Sequence, residues 1–268
     1  MEIRVLLIGD IVGKPGRTIV KEMLPQLIET HRIDFVIANG ENAAQGSGIT
    51  ESLFREIVKT GVDCVTCGDH VWRRKEILPV LERDRRCLRP LNYPPESVGR
   101  GAGVYDSRSG ARIGVITLVG RIFMGPADCP FHAVDRALAT MKLEAPVRFV
   151  EIHAEATSEK IALAWKLDGQ VSCVFGSHTH VPTADERLLH HGTAYITDIG
   201  MTGPYDSVIG RDKQSVLYKF ETGMHAPFNV ATRDVRLSGA IVTVDGATGE
   251  ARAIERIMLQ SEIVVEGE

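Results

Sequence analysis

Five short groups of oxygen and imidazole donors each follow an apolar run of the chain. They are Gly9-Asp10, Asn39-Gly40-Glu41-Asn42, Gly68-Asp69-His70, His153 and Gly176-Ser177-His178-Thr179-His180. Singly, each has an ordinary reading. An Asp after a strand often caps a helix, Glu41 suits a solvated loop, and one His is commonly satisfied by a hydrogen bond. Together they would crowd several carboxylates onto one rim, where they repel one another unless a cation intervenes. His178 and His180, at i and i+2 of an extended segment, can both turn toward one centre. The set is carboxylate and imidazole with no thiolate, which suits iron, manganese or zinc rather than calcium. His70 follows Asp69 directly and titrates near neutrality, as proton transfer requires.

The elements that must position these groups are legible as alternating apolar runs and amphipathic stretches. Strands are expected at 4–8, 34–38 and 63–67, with helices at 16–31, 50–60 and 75–82. Pro25 should kink the first helix, and Thr50 should cap the second. This βαβαβ order predicts parallel strands with helices packed on the faces. Ligands of such sheets bind outside the carboxyl ends of the strands, which is where the donor groups fall. Further on, 101–106 and 112–119 read as a hairpin. Strands at 147–152 and 171–175 flank a helix at 158–167, after a helix at 134–142. The remainder reads as mostly β: 194–197, 215–220, 228–232, 236–244 and 251–257. The expectation is an α/β chain of two sheets, the first partly parallel and the second mainly antiparallel, with helices outside. Residues 1–268 read as one domain, with a frayed tail at 262–268.

Composition excludes several classes. The chain has 268 residues, 31 Lys+Arg against 35 Asp+Glu, and a formal charge of −4. With no basic block, an extended nucleic-acid surface is not expected, whereas a small phosphorylated substrate or an RNA-related ligand remains open. No run approaches the length of a membrane span, and the apolar start is too short for a signal peptide. A cytoplasmic enzyme is therefore expected, self-associating with closed symmetry as is common at this size. Five Cys cannot all pair internally. Cys64 and Cys67 have redox-pair spacing, but they lie in a strand and point to opposite faces. They read as small core residues.

The ordered motifs resemble the calcineurin-like metallophosphoesterases, whose order is Asp, a bridging acid, Asn-His, a further His, then Gly-x-His-x-His. The stretches 9–17, 39–43 and Thr197–Pro204 resemble, more narrowly, the bacterial YmdB-like branch. Its members are described as 2′,3′-cyclic nucleotide phosphodiesterases. The resemblance implies a four-layer αββα sandwich and a pair of metal ions, iron or manganese first, zinc or magnesium otherwise. Asp10, His180 and Asn42 would hold one ion, Asp69, His153 and His178 the other, and Glu41 would bridge them. Such a pair shares and activates a water for in-line attack, and His70 would act as general acid. Val12 stands where many superfamily members have His, and Asn42 is the candidate replacement. Asp69 stands where the branch usually has Asn, adding negative charge to the metal set.

Arg17, Arg121 and Arg211 are candidates to clamp a phosphate. Thr202 and its glycine-rich segment are candidates to line the substrate pocket. Trp72 could stack a base or belong to the core, and His190 and His191 read as exposed. Phosphodiester hydrolysis with His70 as acid is the expected activity. A phosphomonoesterase of the same fold, or a metal- and phosphate-binding regulatory protein with weak turnover, is compatible with the same residues.

Overall fold

A computed structural model describes residues 1–261. In chain order the elements are β1 (Glu2–Ile8), β2 (Asp10–Ile11), α1 (Gly13–His31), β3 (Phe35–Asn39), α2 (Glu51–Lys59), β4 (Cys64–Thr66), α3 (Leu78–Arg83) and β5 (Cys87–Leu88). Then follow β6 (Ala102–Asp106), β7 (Arg112–Val119), α4 (Pro130–Met141), β8 (Val147–His153), α5 (Thr157–Leu167) and β9 (Cys173–Ser177). Last come β10 (Arg187–Leu188), β11 (Ala194–Ile196), β12 (Met201–Pro204), α6 (Lys213–Thr222), β13 (Val235–Asp245) and β14 (Ala251–Gln260).

Strand alternation sorts the apolar residues into three cores, and these define the layers. Leu6 and Ile8 of β1 face α1 and α2 with Ile19, Leu24, Phe54 and Ile57. Ile3, Val5 and Leu7 of the same strand face the opposite sheet, meeting Ile113, Val115, Val147 and Phe149. Val150 and Ile152 of β8 point the other way, onto Val134 and Leu138 of α4 and Leu163 of α5. The order is therefore helices, sheet, sheet, helices, as the resemblance implied. The first sheet runs β2-β12-β13-β1-β3-β4-β5, with β14 on β13; the second runs β10-β11-β9-β8-β7-β6.

Three expectations are corrected. The second sheet is not mainly antiparallel: β11-β9, β9-β8 and β8-β7 are parallel, and only the outer pairs β10-β11 and β6-β7 are antiparallel. The long antiparallel hairpin β13-β14 instead joins the first sheet. Residues 215–220 are not a strand but lie in α6. Asp212 accepts from the Gln214 and Ser215 backbone N–H groups to start that helix, and left-handed Gly223 ends it. The β-prone Val216-Leu217-Tyr218 run misleads because only Val216 of this helix is buried. Residues 228–232 form no strand, making a single bridge from Val230 to Arg211. Elsewhere the differences lie in the bounds and in four short strands, β2, β5, β10 and β12, that were not expected. Helix α1 starts at Gly13 and continues through Pro25, and Thr50 caps α2. The tail expected at 262–268 lies outside the described residues.

Candidate metal centre

The carboxyl ends of β1, β3 and β4 in one sheet and of β8 and β9 in the other meet at a common rim. Asp10 follows β1, Glu41 and Asn42 follow β3, and Asp69 and His70 follow β4. His153 ends β8, and His178 and His180 follow β9. Asp10, Glu41, Asn42 and His153 are buried. The close approach of the sheets requires a glycine at one point. A Cβ on Gly68 would stand 2.1 Å from Cδ2 of His153, so a side chain there would displace the imidazole.

Glu41 is the hub. Its Oε2 accepts from the backbone N–H groups of Gly68 (2.6 Å) and His70 (3.1 Å), and its Oε1 lies 3.0 Å from His153 Nε2. His153 Nε2 is also 3.2 Å from Asp69 Oδ1 and 3.0 Å from His178 Nδ1. One donor atom each from Glu41, Asp69, His153 and His178 fits within 4.8 Å of the others. A second group lies beside it. His180 Nε2 is 3.8 Å from Asp10 Oδ1 and 3.2 Å from Asn42 Nδ2. Asp10 Oδ1 is buried and, among the described residues, accepts no hydrogen bond. An orphaned carboxylate oxygen beside an inward-facing imidazole is what a cation site requires. The residues present therefore fit a metal cluster. The Asn42 amide sits between the imidazoles, with Oδ1 accepting from His70 Nδ1 at 2.8 Å.

The electrostatics reflect this crowding. Burial pushes the Asp10 carboxyl up to about 7; His153 opposes the rise, and Glu41, Asp198 and Glu151 add to it. Burial works against charge on His153, but Glu41, Asp69 and Asp10 hold the imidazole well above its ordinary value. Burial likewise works against charge on Asp69, yet hydrogen bonds from His153 and His178 keep it well below the carboxylate range. For His70 and His180 burial prevails and lowers both.

Each candidate ligand imidazole is anchored on its outer nitrogen, which leaves the other facing inward. His153 Nδ1 donates to Ser177 Oγ (2.9 Å), which donates to Glu151 Oε1 (2.7 Å); Asn39 donates to the same oxygen. His180 Nδ1 donates to the Ile209 carbonyl at 2.9 Å. His178 Nε2 lies 3.3 Å from exposed Glu155 Oε2. Both His178 (φ 95°) and His180 (φ 64°) adopt left-handed backbone, a strained choice for side-chain-bearing residues. A fully buried ion pair holds that turn. Lys160 Nζ donates to Asp198 Oδ2 and to the Ser177 carbonyl, both at 2.8 Å, and Asp198 accepts from the Thr179 backbone and hydroxyl.

Nothing in the sequence singles out Glu151, Glu155, Lys160 or Asp198. Lys160 reads as a solvated helix residue, and only the Thr197–Pro204 motif marks the neighbourhood of Asp198. Conversely, two expected substrate residues do not reach the pocket. Arg17 is mostly buried, and its Nη1 donates to the Ala43 carbonyl at 2.5 Å. Thr202 is fully buried and donates to the Ser238 carbonyl. Arg211 does border the pocket, donating to the carbonyls of Gln45, Gly46 and Phe228. Trp72 is half-exposed against Tyr93, with ring centroids 4.9 Å apart. His190 and His191 are both exposed, as expected, and the His190 ring lies against Trp165 with centroids 5.6 Å apart. Cys64 and Cys67 are buried, and their thiols are raised, Cys64 chiefly by burial and Cys67 chiefly by its bond with Cys87.

Part of the centre lines a cavity of about 490 Å³, where Glu41, Asn42, His70, Glu155, His178 and His180 form a polar floor. Val181, Val208, Ile209, Val216, Phe220 and Phe228 supply its apolar wall. A family model described as YmdB-like protein matches residues 6–257.

The chain belongs to the YmdB-like family.

This YmdB-like chain is 44 % identical over 259 residues to a 2′,3′-cyclic-nucleotide 2′-phosphodiesterase of Bacillus subtilis (strain 168), covering 97 % of this chain and 98 % of that relative. A crystal structure of a hypothetical protein from Thermus thermophilus superposes with a TM-score of 0.90 at 43 % identity, covering 96 % of this chain and 99 % of that one. A crystal structure of a novel phosphatase from Mycoplasma pneumoniae superposes at 0.91 with 34 % identity, covering 97 % and 94 %. Among the described residues, no helix of this YmdB-like chain is long and apolar enough to cross a membrane.

Proposed function

We propose that this YmdB-like phosphoric ester hydrolase is a metal-dependent phosphodiesterase that opens 2′,3′-cyclic nucleotides. The observation that carries the reading is the convergence of carboxylates and inward-facing imidazoles from two sheets on the floor of one cavity. The name of the Bacillus subtilis relative supports the substrate. Glu41, Asp69, His153 and His178 would hold one ion. Asp10 and His180 would hold a second with Asn42, and Glu41 would be shared. When bound, such ions supply Lewis acidity toward phosphoryl oxygens and an activated water at neutral pH.

The protein groups have separate tasks. Glu41 is immobilised by two backbone N–H groups, so the two donor sets keep a fixed spacing. His70 borders the cavity, and Asn42 orients its ring. Burial lowers its pKa below the ordinary imidazole value, which makes protonated His70 a stronger acid. In the proposed reaction water oxygen bonds to phosphorus and gives up one proton to solvent, while the P–O2′ bond breaks and protonated His70 gives its proton to O2′; a solvent proton then restores His70, and a 3′-nucleotide is left.

The test is turnover of 2′,3′-cyclic AMP, bis-p-nitrophenyl phosphate and p-nitrophenyl phosphate by manganese- or iron-loaded protein. The expected result is turnover of the diesters, with His70→Ala about 10²–10⁴-fold slower while its metal content matches wild type. Full diesterase activity in His70→Ala would remove the general-acid role. Hydrolysis confined to the monoester would replace the proposal with a phosphomonoesterase. Tight metal without turnover would make the chain a binding protein.

A further inference from the structure

The apolar side of the cavity has no task in phosphodiester cleavage. Its volume, about 490 Å³, lies in the range of roughly 300–1,000 Å³ that encloses a whole organic ligand and exceeds the needs of a phosphodiester alone. The wall is aromatic and partly open: Phe220 is 75 % exposed and Phe228 37 %. Phe220 sits on α6, and Phe228 lies in the segment that follows it.

This wall is tied to the centre rather than loosely draped over it. Arg211 donates to the Phe228 carbonyl and to the carbonyls of Gln45 and Gly46, in the loop that leaves Asn42. Ile209 is β-branched yet left-handed (φ 45°), a genuine strain for such a residue. Its carbonyl receives the His180 Nδ1–H, and its side chain borders the cavity. The Lys219 ammonium lies 4.8 Å from the centroid of the Phe228 ring. Exposed aromatic faces at a fixed offset from a phosphate-binding floor suit a flat heteroaromatic ring carried by the same molecule.

We infer that Phe220, Phe228 and Ile209 form a nucleobase platform, and that Arg211 positions it over the metal centre. The platform rests on the cyclic-nucleotide reading above and adds to it. The base of the substrate stacks on this wall while its cyclic phosphate reaches the floor. Because stacking tolerates any base, discrimination is between base-carrying and base-free substrates rather than among bases.

The test compares kcat/KM for 2′,3′-cyclic AMP with that for a methyl riboside 2,3-cyclic phosphate lacking the base, using metal-loaded protein. Wild type should prefer the nucleotide by about tenfold or more. Phe228→Ala and Phe220→Ala should each reduce that preference severalfold, and Phe228→Trp should retain it. The exposure of Phe220 keeps its variant safe for folding, and metal content is measured for all. Equal use of the two compounds by wild type, or an unchanged preference in both Ala variants, overturns the platform. Variants that change only the sedimentation coefficient would show that the wall meets a second copy of the chain, which also overturns it. Turnover of neither compound overturns the cyclic-nucleotide reading, and the platform with it.

Discussion

The two halves of the centre are built differently. Glu41, Asp69, His153 and His178 are gathered with donor atoms 3.0–3.4 Å apart, acid against imidazole. In the other half Asp10 Oδ1 and His180 Nε2 stand 3.8 Å apart, with Asn42 Nδ2 3.2 Å from the same imidazole nitrogen, and among the described residues that Asp10 oxygen has no hydrogen bond. The first half largely compensates its own charge, because raised His153 and lowered Asp69 describe an ion pair. The second half does not: burial drives Asp10 toward its neutral form. The strained turn of His178 and His180 serves both halves, so the difference teaches that candidate ligands can be pre-organised with their charges paired on one side and with a buried carboxylate oxygen left unbonded on the other.

The comparison breaks most completely at Glu41, which under the proposed reading would be shared by both halves. Glu41→Gln should leave fewer than one ion per chain by elemental analysis and lower diesterase activity by at least about 10³-fold, given how much of the catalysis the ions supply. Retention of both ions in that variant would show that the halves are independent. Next is the scaffold. Lys160→Met leaves Asp198 buried without its cation, and loss of one partner of such a pair costs about 3–5 kcal/mol. Denaturant unfolding should show that loss, and His178 and His180 should bind metal more weakly.

Asp10→Asn sharpens the contrast. It should cut the metal content from two ions to one, leaving the Glu41 half loaded. In chelator-stripped protein the same substitution acts through pH. The Asp10 carboxyl is raised to about 7 from an ordinary 3.8, so the folded chain binds this proton more tightly than the unfolded chain does. That contribution to stability is full below about 4 and is lost as pH rises through about 7. The thermal midpoint of stripped wild type should therefore fall relative to stripped Asp10→Asn between about pH 4 and about pH 8. A gap that stays constant across that range would remove the burial effect on Asp10. The smallest effect belongs to Glu155, an exposed partner of His178. Glu155→Gln should weaken metal affinity by less than about tenfold, the low end of outer-partner effects. A larger loss in a metal titration would make Glu155 a ligand.

Much of the convergence was legible because the candidate ligands follow apolar runs, and parallel strands deliver their carboxyl ends to one rim. Gly68-Asp69-His70 and Gly176–His180 could thus be placed together before any distance was known. The outer supports were not legible. Lys160 and Asp198 are 38 residues apart and carry charges that normally mark a surface. Arg17 misled for a related reason: a guanidinium near a phosphate site also serves to hold a carbonyl, here that of Ala43. Helix α6 was missed because its β-prone side chains remain largely exposed, so the Asp212 and Gly223 caps outweigh them.

The most direct test is an elemental and anomalous-scattering measurement of the metals in purified wild type. Two ions per chain are predicted, one among Glu41, Asp69, His153 and His178, the other against Asp10 and His180. Well under one ion per chain, or a single ion with Asp10 Oδ1 still unliganded, would contradict the two-ion centre.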